Sequence, residues 1–527
     1  MTMNMPAETT SVAQKLVSIN PATGEVLAEF EPASEAEILA AVGRAREAAP
    51  EWRALGIRGR ARFLRQLKTV LLARRDEIVR LISRETGKPR VESLVAEVLL
   101  VLDACEYYSR EAPAFLRPER VPHHNLAVKG KRGRLEYEPY GVIGIISPSN
   151  YPFSIPLNEL IPALVAGNSV VLRTSELTPQ VGLAIRDLVR AAGFPPGVAE
   201  VLAGDAVAGR ALVAAPIDKL IFTGSVATGK RIQAAAAERL LPTVLELGGK
   251  DPMIVLDDAD LERAASGAVW GAFTNAGQAC LSVERLYVAR AVADRLIRLC
   301  VEKTKQLKLG SPDDSDVGPL IRERQVRIVE EHVQDAVRQG AEVRVGGRRP
   351  PRERWPGFFY EPTVLTCVHH GMRVMREETF GPVLPIQVVE DDAEAVSLAN
   401  DSEFGLSASV WTRDRQRGER IARQLQVGAV MVNDCASYFG ICEAPHGGVK
   451  LSGLGRTHGR LGLREMVRVK YLDVELVPKL PKVWWFGYDE RAARLMTGFS
   501  DFLFARGLAK RLRGLRDVVR GLGKRRV

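Results

Sequence analysis

Cysteine is scarce and scattered. The 527 residues hold six (Cys105, Cys280, Cys300, Cys367, Cys435 and Cys442), with no CxxC pair and no histidine at metal-ligand spacing. Neither a disulfide framework nor a zinc site is implied, no metal is expected, and a reducing cytoplasm fits best. Long apolar runs are also missing: none approaches the ~20 residues that cross a bilayer. The opening MTMNMPAETTSVAQK has neither the basic n-region nor the apolar h-region of a secretory signal. An exported or integral protein is therefore not expected. There is no internal repeat and no low-complexity stretch. What remains, 46% hydrophobic and 26% charged with 6% aromatic residues, is ordinary for a globular protein, and the length calls for two large lobes rather than one core.

An excess of acid is absent as well, since the net charge is +10. That charge is local. Residues 488–527 hold 11 basic side chains against 4 acidic ones, a net +7, so the preceding 487 residues carry only +3. The body of the chain has no basic surplus that would point to nucleic acid.

Ser34 and Glu37 stand in capping-box spacing before a helix that runs to Ala54, and helical periodicity continues to about residue 112. A basic, proline-bounded stretch, RPERVPHHNLAVKGKRGR, leads into a buried strand over Val142–Ile146. Strand-like runs then alternate with helices: SVVLRTS, a helix near Pro179 to Ala192, AEVLAG, KLIFTGS, a helix from Thr228, and TVLELGG. That alternation predicts parallel βαβ units. A second alternating region spans Asp251 to about Cys435, with strands in DPMIVL, ERLYV and GAVMVND.

Phe222–Lys230, FTGSVATGK, nearly spells a phosphate-binding loop, but Arg231 stands where a Ser or Thr would hold magnesium. This speaks against an NTPase. It leaves two readings, a helix N-terminus presented to a pyrophosphate or a plain glycine turn. In FTNAGQAC, Cys280 lies in a short polar, glycine-containing stretch, the setting a reactive thiol needs, although a free cysteine is more often a small buried hydrophobe. Glu246 closes an apolar run on a glycine-rich turn, ELGGK, where it could be a base or a solvated acid.

Read in order, PSNYPFSIPLNELIPALVAGNSVVLRTSE, FTGSVATGK, LELGGKDP, FTNAGQAC, EETFGPVLP and PHGGVKLSGLGR resemble the aldehyde dehydrogenase superfamily over roughly residues 18 to 475. The C-terminal motif and the SVERLYV after Cys280 look closest to its bacterial semialdehyde dehydrogenase-like branch. The resemblance implies a two-lobed α/β fold. An NAD-binding domain would comprise 1–118 and 139–246, and a catalytic domain 247–435. Residues 436–466 would return to the NAD-binding domain and substrate channel. An oligomerisation element from 119–138 and 467–487 would make a homodimer or homotetramer. The resemblance also implies NAD-dependent oxidation of an aldehyde to a carboxylate. Cys280 would be the nucleophile, Asn150 the oxyanion donor beside the Cys280 N–H, and Glu246 the base that activates the hydrolytic water. Gly224, Ser225 and Gly229 would serve the pyrophosphate, and Glu378 and Phe380 the nicotinamide ribose and ring. Glu176 would accept from the adenosine ribose and repel a 2′-phosphate, favouring NAD. Two other classes share these motifs, a coenzyme-A-acylating enzyme, which needs no hydrolytic base, and a non-catalytic membrane-associated scaffold.

The chain departs from the family pattern in places. Ser149 replaces the Trp before the catalytic Asn. Arg173 replaces the Lys before Glu176, and its planar fork suits a phosphate too, leaving room for NADP. Glu159 stands at a common Lys and His446 at a common Phe. Beyond Tyr471 the chain continues into a basic segment, 488–527. There Leu495, Phe499, Phe502, Leu508, Leu512, Leu515, Val519 and Leu522 recur mostly at spacings of three and four. This predicts an amphipathic basic helix, suited either to an anionic membrane surface on the inner face of the membrane or to packing on the protein.

Overall fold

The computed structural model describes residues 15–125, 128–310, 313–478, 482, 484–486 and 488–521. Leu522 and the last basic residues of the tail, Lys524, Arg525 and Arg526, lie outside the described residues. The chain divides into two compact units, Met1–Arg117 with Tyr137–Arg468, and Pro118–Glu136 with Val469–Val527.

The larger unit is built on two sheets. The six-stranded sheet has the order Gly453–Leu454, Thr243–Glu246, Lys219–Thr223, Val142–Ile146, Ser169–Thr174 and Ala199–Ala203. Its strands run parallel except for the two-residue edge at Gly453–Leu454, which pairs antiparallel with Leu245 and Glu246. Helices cover a parallel sheet on both faces, which is why Val142–Ile146 and Ser169–Thr174 are buried along their whole length and read as unbroken runs. The seven-stranded sheet draws every strand from residues 251–432; Asp251–Val255 and Val283–Ala289 lie side by side within it.

Local signals act as the physics requires. The helix Glu35–Ala54 starts at Ser34 with both halves of its capping box made. The helix expected from Thr228 begins two residues earlier, over Val226–Ala237, because the Ser225 side chain accepts from the Thr228 N–H and so sets the cap.

Val467–Glu475, Lys131–Pro139 and Glu119–Val121 form a three-stranded sheet, most of whose residues belong to the smaller unit. The His123 ring nitrogen meets the Tyr471 hydroxyl at 2.8 Å, and Lys131 pairs with Asp473. The basic segment differs from the single helix predicted. It folds as two helices, Glu490–Phe504 and Leu508–Gly521, turned back on each other at Ala505–Gly507. Gly507 adopts a left-handed φ of 99° there, and Arg511 donates to the carbonyls of Leu503 and Ala505. The helices pack through Ala492, Leu495, Gly498, Gly514 and Gly521, so that of the described members of the predicted apolar stripe only Leu495 is buried.

Candidate active site

Cys280 ends a backbone run that few sequences tolerate. Asn275, Ala276 and Gly277 all have positive φ, at 50°, 55° and 72°, each non-glycine member costing strain that its surroundings must outweigh. Gly277 is obligatory on a second count, since a Cβ there would lie 2.2 Å from the Gly381 carbonyl oxygen. The surroundings are a buried polar network. Glu92 accepts from the Thr274 hydroxyl (2.8 Å) and the Asn275 N–H (3.0 Å), while the Asn275 amide donates to the carbonyls of Asn150 (3.0 Å) and Gln278 (3.1 Å). Gln278 accepts from the Ile321 N–H at 2.9 Å.

Asn150 is held by the same network. Its side-chain amide donates to the Gln278 carbonyl at 3.0 Å, tying it to the residue two before Cys280. Its own carbonyl also accepts from the Lys88 ammonium at 2.7 Å, and Lys88 is ion-paired with Glu97 at 2.7 Å, both fully buried. Glu97 projects from a widened π-helical segment, Ser93–Leu99, and takes the N–H groups of Phe153 and Ser154 at 3.0 and 2.8 Å. A π-bulge of this kind commonly re-aims a side chain at a functional site. The sequence reading missed Lys88, Glu92, Glu97, Asn275 and Gln278. The Gly87-Lys88-Pro89 turn was the one local signal available.

Glu246 ends its strand fully buried, and neither carboxylate oxygen has a hydrogen-bond partner. Burial pushes this carboxyl far above the usual carboxylate range, and the nearby Glu159 charge pushes it further, against the pull of Arg456. Glu159 is itself raised to about 8 by burial, although the Thr223 hydroxyl donates to it at 2.7 Å. His446 Nε2 lies 3.5 Å from Glu246 Oε2, and its Nδ1 lies 2.9 Å from the Tyr438 hydroxyl. Burial together with His458 and Arg456 drives His446 well below its ordinary value, so it is neutral.

Two glycines bring Cys280 and Glu378 against the end of this strand. A Cβ on Gly249 would lie 2.3 Å from the Cys280 carbonyl oxygen, and one on Gly248 would lie 2.4 Å from Glu378 Oε2. Glu378 accepts from the Gly249 N–H at 3.2 Å, and burial lifts its carboxyl to about 8. Burial also raises the Cys280 thiol, which feels the charges of Asp251, Glu246 and Glu378, while its own backbone N–H favours the thiolate. An apolar cluster of Leu281, Leu406 and Tyr438 lies beside Cys280, and Met431, Phe439 and Ala444 pack against it as well.

The residues present fit a dinucleotide. Ser225 caps the helix Val226–Ala237, whose first N–H groups form an anion site at the end of Lys219–Thr223. Gly224 and Ser225 lie at that turn. Gly229 does not: it is one turn into the helix, where a Cβ would strike Leu247 at 2.6 Å, so it serves helix packing instead. Arg173 lies at the end of Ser169–Thr174, two strands away in the same sheet, and Glu176 just beyond it, ion-paired at 2.6 Å. The Arg173 partner partly offsets the charge with which Glu176 would repel a 2′-phosphate. Phe380 sits at a left-handed φ of 50°, its N–H held at 2.8 Å by Glu284, which also pairs with Lys250 at 2.6 Å.

The aldehyde dehydrogenase family profile matches residues 8–472. The chain is 41% identical to a 4,4'-diapolycopene aldehyde oxidase of Methylomonas over 491 residues, 93% of this chain and 91% of that protein. It is also 41% identical to a putative NADP-dependent succinate-semialdehyde dehydrogenase of Mycolicibacterium smegmatis, over 86% and 87% of the two chains. Among solved structures, an NAD+ complex of a Bacillus cereus aldehyde dehydrogenase superposes with a TM-score of 0.84 at 34% identity, over 88% of this chain and 94% of that one. An NADP-dependent enzyme of E. coli superposes at 0.82 with 36% identity, over 88% and 95%. The chain belongs to the aldehyde dehydrogenase family and is an NAD-dependent aldehyde dehydrogenase, with room for NADP.

Proposed function

We propose that the enzyme oxidises apolar aldehydes to carboxylates through a thioester on Cys280 that Glu246 helps to hydrolyse. The observation that carries this is Glu246, a buried carboxyl with both oxygens unpartnered, close enough to Cys280 for its charge to raise the thiol. An unpartnered buried carboxyl is costly unless a reaction uses it.

The Cys280 thiolate attacks the aldehyde carbon. The resulting oxyanion is met by the Cys280 N–H and by the second N–H of the Asn150 amide, whose first is spent on Gln278. Bound NAD+ would supply the acceptor for the hydride lost from that carbon, and Cys280 would then carry the thioester. Glu246 then takes a proton from water as the oxygen attacks the thioester carbonyl, and the Cys280 thiolate departs from the carboxylic acid formed. Glu159 and the neutral His446 flank the proton on Glu246. Gly224 and Ser225 would hold the pyrophosphate, Glu176 with Arg173 the adenosine ribose, and Glu378 with Phe380 the nicotinamide ribose and ring. A hydrolytic base speaks for this reaction over acyl transfer to coenzyme A, and an intact nucleophile and base speak against a scaffold.

The apolar cluster beside Cys280 supports an apolar substrate. Arg456, the guanidinium whose charge reaches Glu246, His446 and Tyr438, donates Nη1 to the Gly448 and Gly455 carbonyls. The relative whose name gives a diapolycopene aldehyde is in keeping with this. The three-stranded sheet of the smaller unit, with Val469 and Tyr471 exposed, is the element through which a homodimer or homotetramer would form.

The test is NADH formation across aldehydes from short semialdehydes to long-chain and aromatic ones. Long-chain or aromatic aldehydes should give the highest kcat/KM, and Cys280→Ala should abolish turnover. Preference for a carboxylate-bearing semialdehyde would refute the apolar assignment, and residual wild-type turnover in Cys280→Ala would refute the nucleophile.

A further inference from the structure

The two-helix hairpin at Glu490–Gly521 leaves the apolar stripe of its second helix uncovered. In the second helix Leu508, Leu512, Leu515 and Val519 recur at i, i+4, i+7 and i+11, within about 60° of the helix circumference. They are 74%, 57%, 39% and 64% exposed. The hairpin does not need that face. It closes through Gly514 and Gly521, roughly 150° away around the helix, so tightly that a Cβ on Gly514 would lie 2.5 Å from the Gly498 carbonyl oxygen. Ordinary amphipathic hairpins bury their bulky stripe between the helices. In this one the second helix buries its glycines and turns its leucines outward.

The rest of the surface says what the stripe meets. Arg513, Arg516 and Arg520 line one flank of it, all exposed. Just before the hairpin, Trp485, Phe486 and Tyr488 are exposed at 62%, 93% and 71%, and large amphipathic aromatics at that density are typical of a membrane interface. A second copy of the chain would bring like-charged flanks together, which opposes self-association through this face. No described helix is long and apolar enough to cross a membrane.

We propose that the C-terminal hairpin is a membrane-docking wedge. The Leu508–Val519 stripe enters the acyl boundary of an anionic lipid surface, and the arginine flank meets the headgroups. This goes beyond the reaction at Cys280 and does not depend on it. It gives the enzyme a reversible, salt-sensitive attachment of the interfacial kind, parallel to the surface.

The experiment is co-sedimentation of the full chain with vesicles of phosphatidylcholine, alone or with phosphatidylglycerol in equal part. Binding should be at least about tenfold tighter on the anionic vesicles and should fall by at least about tenfold between low salt and about 0.5 M salt. Leu512→Glu with Val519→Glu should abolish pelleting. Each charge reversal among Arg513→Glu, Arg516→Glu and Arg520→Glu should cost about fivefold or more. All should keep wild-type melting temperature and turnover of a water-soluble aldehyde. An assay on the unaltered chain stands beside these: brominated phosphatidylglycerol should quench tryptophan fluorescence, since Trp484 and Trp485 precede the hairpin. The proposal is overturned if the full chain neither pellets with anionic vesicles nor is quenched, or if the variants pellet like wild type. It is equally overturned if the leucine and valine variants change the subunit number in light scattering without changing lipid binding, which would give the stripe to a second copy.

Discussion

Glu246→Gln isolates the hydrolytic half of the reaction. Neither oxygen of Glu246 makes a hydrogen bond in the resting protein, so the isosteric amide breaks none, and the fold should survive. What is lost is proton acceptance. General-base catalysis typically contributes 10²–10⁴-fold, equivalent to about 2.7–5.4 kcal/mol of barrier at 1.36 kcal/mol per decade. The variant should release about one NADH per active site in a burst and then slow by roughly that factor. The acyl-enzyme should be visible by intact mass. The pH dependence is a second signature. Burial and Glu159 raise the Glu246 carboxyl, so below that raised value it is protonated and idle, and wild-type turnover climbs as pH rises through it. Glu246→Gln should lose this limb while keeping the one set by the raised Cys280 thiol in the burst. Wild-type steady-state rates in Glu246→Gln, or the absence of a burst, would refute the assignment of Glu246 as the deacylation base.

Lys88→Met leaves the fully buried Glu97 without its cation and should cost about 3–5 kcal/mol, read as a lowered melting temperature together with reduced kcat through the loosened Asn150; an unchanged melting temperature would contradict it. Glu176→Gln frees Arg173 from its ion pair and should shift the ratio of kcat/KM values toward NADP by about tenfold, the scale of one charge-assisted hydrogen bond. An unmoved ratio in a cofactor titration would remove Glu176 from the discrimination.

The parallel strands were legible because a sheet covered on both faces leaves unbroken apolar runs, and Val142–Ile146 and Ser169–Thr174 are such runs. Ser34 and Glu37 announced a helix because a capping box is wholly local. Cys280, Glu246 and Asn150 stood out through short motifs. Their supports did not. Lys88 and Glu97 reach Asn150 across about 60 residues of chain, through a π-bulge that has no sequence period of its own. The apolar spacing of the tail breaks only once, in the six residues from Phe502 to Leu508, and Gly507 within that gap was the one local signal of the reversal. Periodicity cannot show that glycine, lacking any hydrophobic signal, supplies the contact. His446 was visible as a departure from the family pattern, but its pairing with Tyr438 and Glu246 depends on the fold.

The two-residue edge at Gly453–Leu454 bears on how the protein is born. Thr243–Glu246 is paired on one side by Lys219–Thr223, and its other side stays open until residues 453 and 454 arrive. A ribosome adding about 5–20 residues per second needs roughly 10–40 s to cover the interval. Throughout it the nascent six-stranded sheet presents a bare apolar edge, the type that recruits other chains, and His446 has yet to be synthesised beside Glu246. The base is therefore housed among the last events of synthesis, and a chain arrested before residue 453 would carry the nucleophile, an open sheet edge and no working enzyme.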